Sequence, residues 1–246
     1  MQARGKIMNK YYFFHGDISE VVFLKQYQSL FDSPVCSFYI NPDDHMSLRK
    51  EFDGLITLVG KVNGQEVGLI ACDFKIYGGS FGVESSDRVC AFLREMKRRK
   101  IPVMFFLETI GVRIMEGRKV FPHAFSILRE LKEFVQDNLF MTAAVGSCLG
   151  LGALIFEIGD YRFGIKSKST LNLTGPEVFK MFFGKTVDFE KMASVEKQQH
   201  ISALVHENVE DKQEVMERMR EILSYQNVGA EQVLDYPLEE SYVFAN

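Results

Sequence analysis

The sequence predicts an α/β layered fold on three observations. A cycle of strand, glycine loop and helix recurs at least three times, a hairpin signal opens the regular part of the chain, and the composition is that of an ordinary globular protein. Of the 246 residues 46% are apolar and 25% charged, and 29 basic against 33 acidic side chains leave a net charge of −4. A chain of this length can bury one large core. With no basic excess to neutralise phosphates, nucleic acid is not an expected partner.

Cys36, Cys72, Cys90 and Cys148 stand far apart with no C-x-x-C spacing. Neither a zinc ribbon nor a dense disulfide framework is expected, no metal site is assigned, and a reducing cytoplasm is the expected compartment. Residues 1–20 lack the apolar core of a signal peptide, and no stretch holds the roughly 18–20 uninterrupted apolar residues of a membrane span. No membrane partner is expected.

Residues 1–50 are aromatic and irregular, with Tyr11-Tyr12-Phe13-Phe14 and a turn at Asn41-Pro42-Asp43-Asp44. They read as an N-terminal packing extension on a domain formed by residues 51–246. Apolar runs at 55–59 and 67–72 flank Asn63-Gly64, the dipeptide of a tight β-hairpin. The loop Gly78-Gly79-Ser80-Phe81-Gly82 precedes a helix whose apolar positions Val89, Phe92, Leu93 and Met96 follow i, i+3, i+4, i+7. Basic residues 97–100 end that helix, as its dipole favours.

Pro102 introduces a strand over 103–107, a loop follows around Gly111 and Gly117, and Phe125, Leu128, Leu131 and Val135 mark the next helix. A strand over 141–145 then runs into the glycine loop Gly146-Ser147-Cys148-Leu149-Gly150-Leu151-Gly152, an apolar helix, and a strand over 161–165. Thr174-Gly175-Pro176-Glu177 has capping-box spacing with proline in the first turn, which starts another helix. A last amphipathic helix is expected over 211–225 with Val215, Met219, Ile222 and Leu223 inward.

Glycine loops ahead of helices leave backbone N–H groups facing a gap, a natural place for a phosphate or for an oxyanion forming on a thioester carbonyl. The strongest phosphate motifs are absent: there is no G-x-x-x-x-G-K-[ST], and no G-x-G-x-x-G opens the first unit. The oxyanion reading remains, alongside one in which the glycines only make tight turns and close helix contacts.

Four elements in register carry a resemblance: Gly60-Lys61-Val62-Asn63-Gly64; Asp73-Phe74-Lys75-Ile76-Tyr77-Gly78-Gly79-Ser80-Phe81-Gly82; Gly111-Val112-Arg113-Ile114-Met115-Glu116-Gly117; and Thr174-Gly175-Pro176-Glu177-Val178. In order and spacing the chain resembles the carboxyltransferase subunits of biotin-dependent acyl-CoA carboxylases and of malonate decarboxylase. The resemblance implies a crotonase-like fold of repeated ββα units. It implies a malonyl-like thioester on CoA or on the phosphopantetheine of an acyl carrier protein as substrate, whose carboxyl group is transferred or removed through an enolate.

It further implies backbone oxyanion donors at Gly150 and Leu151, facing a substrate surface of Gly78, Gly79, Ser80, Gly111 and Arg113. No cofactor is covalently bound in this reading; biotin arrives on a carrier. A second carboxyltransferase-like subunit, or a second copy of the chain, completes the site.

Two departures from the resemblance bear on activity. The family writes paired glycines where this chain has Ile110-Gly111 and Gly150-Leu151. A backbone donor survives any substitution but proline, yet each side chain is expected to narrow the pocket, so a subunit without turnover that scaffolds a catalytic homologue is the alternative. Hydratases of the superfold place a carboxylate where this chain has Ala153 and Leu154, which disfavours water addition. Arg113 is read either as a ligand for a carboxylate or CoA phosphate or as a partner of Glu108 or Glu116. Cys148 is read as a packed thiol, and His123 and His200 are the histidines to test as acids or bases.

Overall fold

The computed structural model describes residues 11–13, 18–33, 35, 38–40, 52–184 and 188–226. Near the start, β1 (Tyr11–Phe13) pairs antiparallel with β2 (Phe38–Ile40), and α1 (Ile18–Lys25) lies between them in the chain. The hairpin follows as β3 (Leu55–Val62) and β4 (Gln65–Cys72), antiparallel in register from Leu55 opposite Cys72 to Val62 opposite Gln65. Asn63 and Gly64 close it at φ of 51° and 80°, the two positive angles that a two-residue turn of this hand requires.

Strand and helix then alternate through α2 (Val83–Arg99), β5 (Val103–Thr109), α3 (Val120–Phe134), β6 (Phe140–Leu149), α4 (Leu151–Glu157) and β7 (Tyr161–Ile165). The chain continues with β8 (Thr170–Asn172), α5 (Pro176–Phe183), α6 (Phe189–Ala193), α7 (Val195–Ser202), β9 (Glu207–Val209) and α8 (Lys212–Gln226). The sheet order is β3-β4-β5-β6-β7-β9, with β8 paired to the far end of β6. Among the described residues, every strand-to-strand ladder of this sheet beyond the hairpin is parallel.

Both faces of this sheet are covered, and β5 shows why its sequence reads as one apolar run. Val103, Phe105 and Leu107 enter a core with α2, α3 and α4, while Met104 and Phe106 enter a second core with α1 and α8. The first core takes Val89, Phe92, Leu93 and Met96 of α2, the face that the spacing predicts. The second takes Val215, Met219 and Leu223 of α8, with Ile222 at its edge.

Four expectations differ from the structure, and a fifth falls outside the described residues. The aromatic N-terminal stretch is not irregular throughout, since α1 and the turn after it deliver Phe23, Tyr27, Leu30 and Phe31 into the second core. The turn expected at Asn41-Pro42-Asp43-Asp44 lies outside the described residues. In α3 the buried face is Val120, Ala124, Ile127, Leu131 and Phe134, so Phe125 points outward. Residues 146–149 are strand, not loop: β6 continues to Leu149 because its end is paired on one side at Thr109 and on the other along β8. The helix expected from Thr174-Gly175-Pro176-Glu177 is present with proline in its first turn, but it begins at Pro176 with Gly175 as its cap position, so the capping-box spacing makes no side-chain cap.

Candidate active site

Where β4 ends, Tyr77, Gly78 and Gly79 adopt φ of 50°, 62° and 62°, a left-handed turn three residues long. It is tied internally by Gly79 N–H to Ile76 O at 2.9 Å and by the Ser80 hydroxyl to Tyr77 O at 2.6 Å. Residue 79 has to be glycine for a second reason, since a β-carbon there would overlap the Glu108 carbonyl. The turn is laced to the segment after β5: Ile110 N–H donates to Gly78 O at 3.0 Å, Phe81 N–H to Gly111 O at 2.9 Å, and Arg113 N–H to Phe81 O at 2.9 Å.

The second turn lies at the end of β6. Gly150 has φ 57° and ψ −122°, a combination essentially restricted to glycine, and it swings the chain directly into α4. Its own N–H donates to Asn172 O of β8 at 3.0 Å, so this amide is engaged within the protein. Gly111 packs against the turn closely enough that a β-carbon on it would stand 3.3 Å from Leu151 N. The backbones of Gly78, Ile110, Gly111, Gly150 and Leu151 thus form one contiguous patch. Among the described residues, the N–H groups of Gly78 and Leu151 have no hydrogen-bond partner.

The two side chains expected to narrow this patch behave differently. Leu151 is only 4% exposed and turns into the first core, away from the gap. Ile110 is 52% exposed, and its side chain lies against Gly78, where a β-carbon would meet three of its carbons at 3.0 to 3.3 Å. Of the two, Ile110 alone stands over the patch.

Arg113 is 9% exposed and addresses the back of the first turn. Its Nε donates to Ser80 Oγ at 3.2 Å, and its Nη2 to Ser80 O at 2.7 Å and Asp53 O at 2.9 Å. Its Nη1 lies 3.4 Å from Glu116 Oε1, and the guanidinium sits 4.6 Å from the centre of the Tyr77 ring. Of its two expected acidic partners, Glu116 is the one it meets. A cleft of about 530 Å³ opens beside Tyr77 and Arg113, with Asp53, Glu84 and Glu116 in its walls.

Glu108 projects to the other face of the sheet, where its side chain fills the space above Gly146. Burial raises its carboxyl above the usual range, against the pull of Lys168 and Lys212 and with the push of Asp73. Burial likewise lowers the Lys212 ammonium, which donates to Gln26 Oε1 at 3.0 Å and sits over the Tyr27 ring. Cys148 is fully buried and its thiol is pushed well up by burial, which suits packing rather than nucleophilic attack. His123 pairs with Asp87 at 2.7 Å across α2 and α3, and His200 is exposed on α7. Among the described residues no three His, Cys, Asp or Glu side chains gather as metal ligands, and no helix is long and apolar enough to cross a membrane.

Sequence reasoning missed Asn172, whose carbonyl occupies the Gly150 amide, because three-residue β8 carries no periodic signal of its own. It also missed that Leu151 faces inward. The signal for that was present: Leu151, Ile155 and Phe156 follow the i, i+4, i+5 spacing of one helix face.

Comparison with known proteins places this geometry in context. The profile described as the carboxyl transferase domain matches residues 43–242. The carboxyltransferase subunit of propionyl-CoA carboxylase from Haloferax mediterranei is 27% identical over 173 residues, covering 70% of this chain and 34% of that protein. The mitochondrial propionyl-CoA carboxylase beta chain of Homo sapiens is 25% identical over 177 residues, 70% of this chain and 32% of its own length. The chain therefore spans about a third of the length of these curated relatives.

Among solved structures, the transcarboxylase 12S hexamer with methylmalonyl-coenzyme A and methylmalonic acid bound superposes with a TM-score of 0.63 at 25% identity. That match covers 70% of this chain and 33% of the other. The Pseudomonas malonate decarboxylase MdcD-MdcE heterodimer gives a TM-score of 0.64 at 23% identity, covering 82% of this chain and 84% of its counterpart, a likeness of fold. The fold is crotonase-like.

Proposed function

Because the chain belongs to the carboxyl transferase domain family, we propose that it is a carboxyltransferase-type subunit acting on a malonyl-like acyl thioester carried by CoA or by an acyl carrier protein. The observation that carries the proposal is the pair of N–H groups, Gly78 and Leu151, without partners on two turns that meet on either side of the Ile110-Gly111 segment. Breaking the bond between the α-carbon and the carboxyl group leaves its electron pair in a thioester enolate. Preorganised amides at the enolate oxygen stabilise that charge by several kcal/mol at a typical oxyanion site. The carboxyl group leaves as CO2, with a proton from water taking its place, or passes to a ureido nitrogen of biotin on a carrier protein, whose N–H proton goes to the α-carbon in exchange.

Gly150, expected as a donor, instead shapes the turn that presents the Leu151 amide, since its N–H is held by Asn172. Gly79 and Gly111 serve by their lack of a side chain, the first against Glu108 and the second against the Gly150 turn. The α4 helix opens Leu-Gly-Ala-Leu and so brings no acid or base in its first turn. Chemistry by oxyanion stabilisation fits this better than water addition does.

A partner is part of the proposal. Met181 and Phe182 on α5 are 75% and 79% exposed, beside exposed Leu173, Val178 and Phe183, and no α5 side chain is buried. An apolar helix face of this kind is the signature of an interface. The occupant proposed for it is a second carboxyltransferase-like chain or a second copy; the malonate decarboxylase structure of similar fold is itself a heterodimer.

The alternative, a subunit that has lost turnover and supports a catalytic homologue, draws on Ile110, whose side chain stands over Gly78. Incubating the purified protein with malonyl and methylmalonyl thioesters, on CoA and on acyl carrier protein, decides between them by mass spectrometry. Loss of CO2 or carboxyl transfer, alone or with a second subunit, supports the enzyme; neither under any condition supports the scaffold.

A further inference from the structure

We propose that Arg113 is a positioning residue: its guanidinium holds the left-handed turn at residues 77–80 and thereby aims the Gly78 N–H, so that it acts on the reaction without touching substrate. The inference deepens the reading of Gly78 as an oxyanion donor and rests on it.

A guanidinium carries five N–H bonds in a fixed planar fork, and one that is almost wholly buried has to find acceptors for them. Arg113 directs Nε to Ser80 Oγ and Nη2 to both Ser80 O and Asp53 O, leaving Nη1 for Glu116. Two of these acceptors belong to the residue that closes the turn, and the third belongs to the segment preceding β3. The flat face of the same group lies over the ring of Tyr77, the residue that opens the turn. One side chain therefore grips both ends of a turn whose middle is Gly78.

The turn has reason to need holding. Tyr77 is not glycine, yet it sits at φ 50°, a left-handed conformation that a side chain disfavours and that persists only where neighbours over-determine it. Arg113 is well placed to supply that constraint because its own main chain is anchored to the same loop: its N–H donates to Phe81 O, and Phe81 N–H donates to Gly111 O. The short run Gly111-Val112-Arg113 thus fixes the turn twice, by backbone bonds beyond it and by the fork across it. Lysine, a single ammonium on a flexible stem, cannot reproduce a fork that spans Ser80 Oγ, Ser80 O and Asp53 O together.

The test pairs a structural readout with a kinetic one, using Arg113→Lys, Arg113→Met and the milder Ser80→Ala, each in the full chain with any partner subunit that turnover requires. Amide hydrogen exchange over residues 77–82 is expected to quicken roughly tenfold or more in both Arg113 variants, and less in Ser80→Ala, while exchange in the strands at 103–109 and 140–149 stays as in the wild type. With malonyl-CoA the expected change is a fall in kcat of about a hundredfold with KM moved less than twofold, the cost of a misaimed donor. Unchanged exchange at 77–82 would overturn the proposal. So would an intact kcat with a raised KM that appears for malonyl-CoA and vanishes for the malonyl thioester of pantetheine, which would make Arg113 a ligand for the CoA phosphates. Quickened exchange in a protein whose wild type turns over no thioester would support the clamp and overturn the proposed reaction.

Discussion

Ile110 and Gly78 touch twice: the Ile110 N–H donates to the Gly78 carbonyl at 3.0 Å, and the isoleucine side chain lies against the glycine's α-carbon. The backbone contact ties the first turn to the segment after β5 that Gly150 packs against, and the side-chain contact covers part of the patch they form. One residue thus builds the site and restricts it.

Ile110→Ala separates the two effects, because it keeps the N–H and removes most of the cover. Ile110 is half exposed, so unfolding free energy is expected to change by no more than about 1 kcal/mol. In the proposed reaction, kcat/KM is expected to rise for thioesters with branched or longer acyl groups relative to malonyl, by roughly tenfold per methylene accommodated. Paired steady-state assays on malonyl- and ethylmalonyl-CoA read the ratio; an unchanged ratio would place the acyl group elsewhere.

Leu151→Ala is expected to act on stability instead. The leucine fills the first core beside Cys148 and Ile155, and deleting buried methyl groups of this kind costs about 2–5 kcal/mol. Urea unfolding should show the loss. The amide is retained, so turnover per folded molecule should remain within a few-fold of wild type, and no preference for bulkier thioesters should appear.

Glu108 links stability to pH. Burial raises its carboxyl in the folded chain, so between the ordinary carboxylate range and that raised value the folded state binds the extra proton, and stability falls as pH climbs through the window. Glu108→Gln removes the ionisation. The variant should be more stable than wild type at pH 8 and equal to it below about pH 4, where both side chains are neutral. Thermal melts across pH check both ends; a variant less stable at pH 8 would show that attraction to Lys168 and Lys212 outweighs burial.

Phe182→Asp addresses the apolar face of α5. Because the ring makes no core contact, the melting temperature should hold. Association with a second copy or a carboxyltransferase-like subunit, followed by light scattering, should weaken about tenfold or more, as loss of an exposed aromatic anchor does at interfaces. Unaltered association would remove α5 from the interface.

The legible parts of this protein are those where local chemistry leaves one choice. Asn63-Gly64 demands a hairpin because both residues take positive φ, and the α2 and α8 faces are plain because their i, i+3 or i+4, i+7 spacing is unbroken over about two turns. Residues 146–148 misled because glycine and serine look like loop, whereas their strand conformation comes from two neighbours distant in sequence. Phe125 misled because an aromatic residue one position off the buried stripe of α3 is indistinguishable by composition. At the site, the glycine turns were visible, but which amides stay unpartnered was not. That depended on the Asn172 carbonyl reaching back to the Gly150 amide.

The second core closes only when distant parts of the chain meet. Lys212 bonds Gln26, Ser29 bonds Gln213, and Arg220 reaches the Leu30 carbonyl, across separations of 184 to 190 residues. A ribosome emitting this chain therefore exposes α1 and the underside of β3 to β6 long before their cover exists. The other face can assemble unit by unit as each helix emerges, whereas this one carries the topological delay of high contact order. Chaperone dependence during synthesis should accordingly concentrate on the α1 face, and a chain halted before α8 should be the species captured.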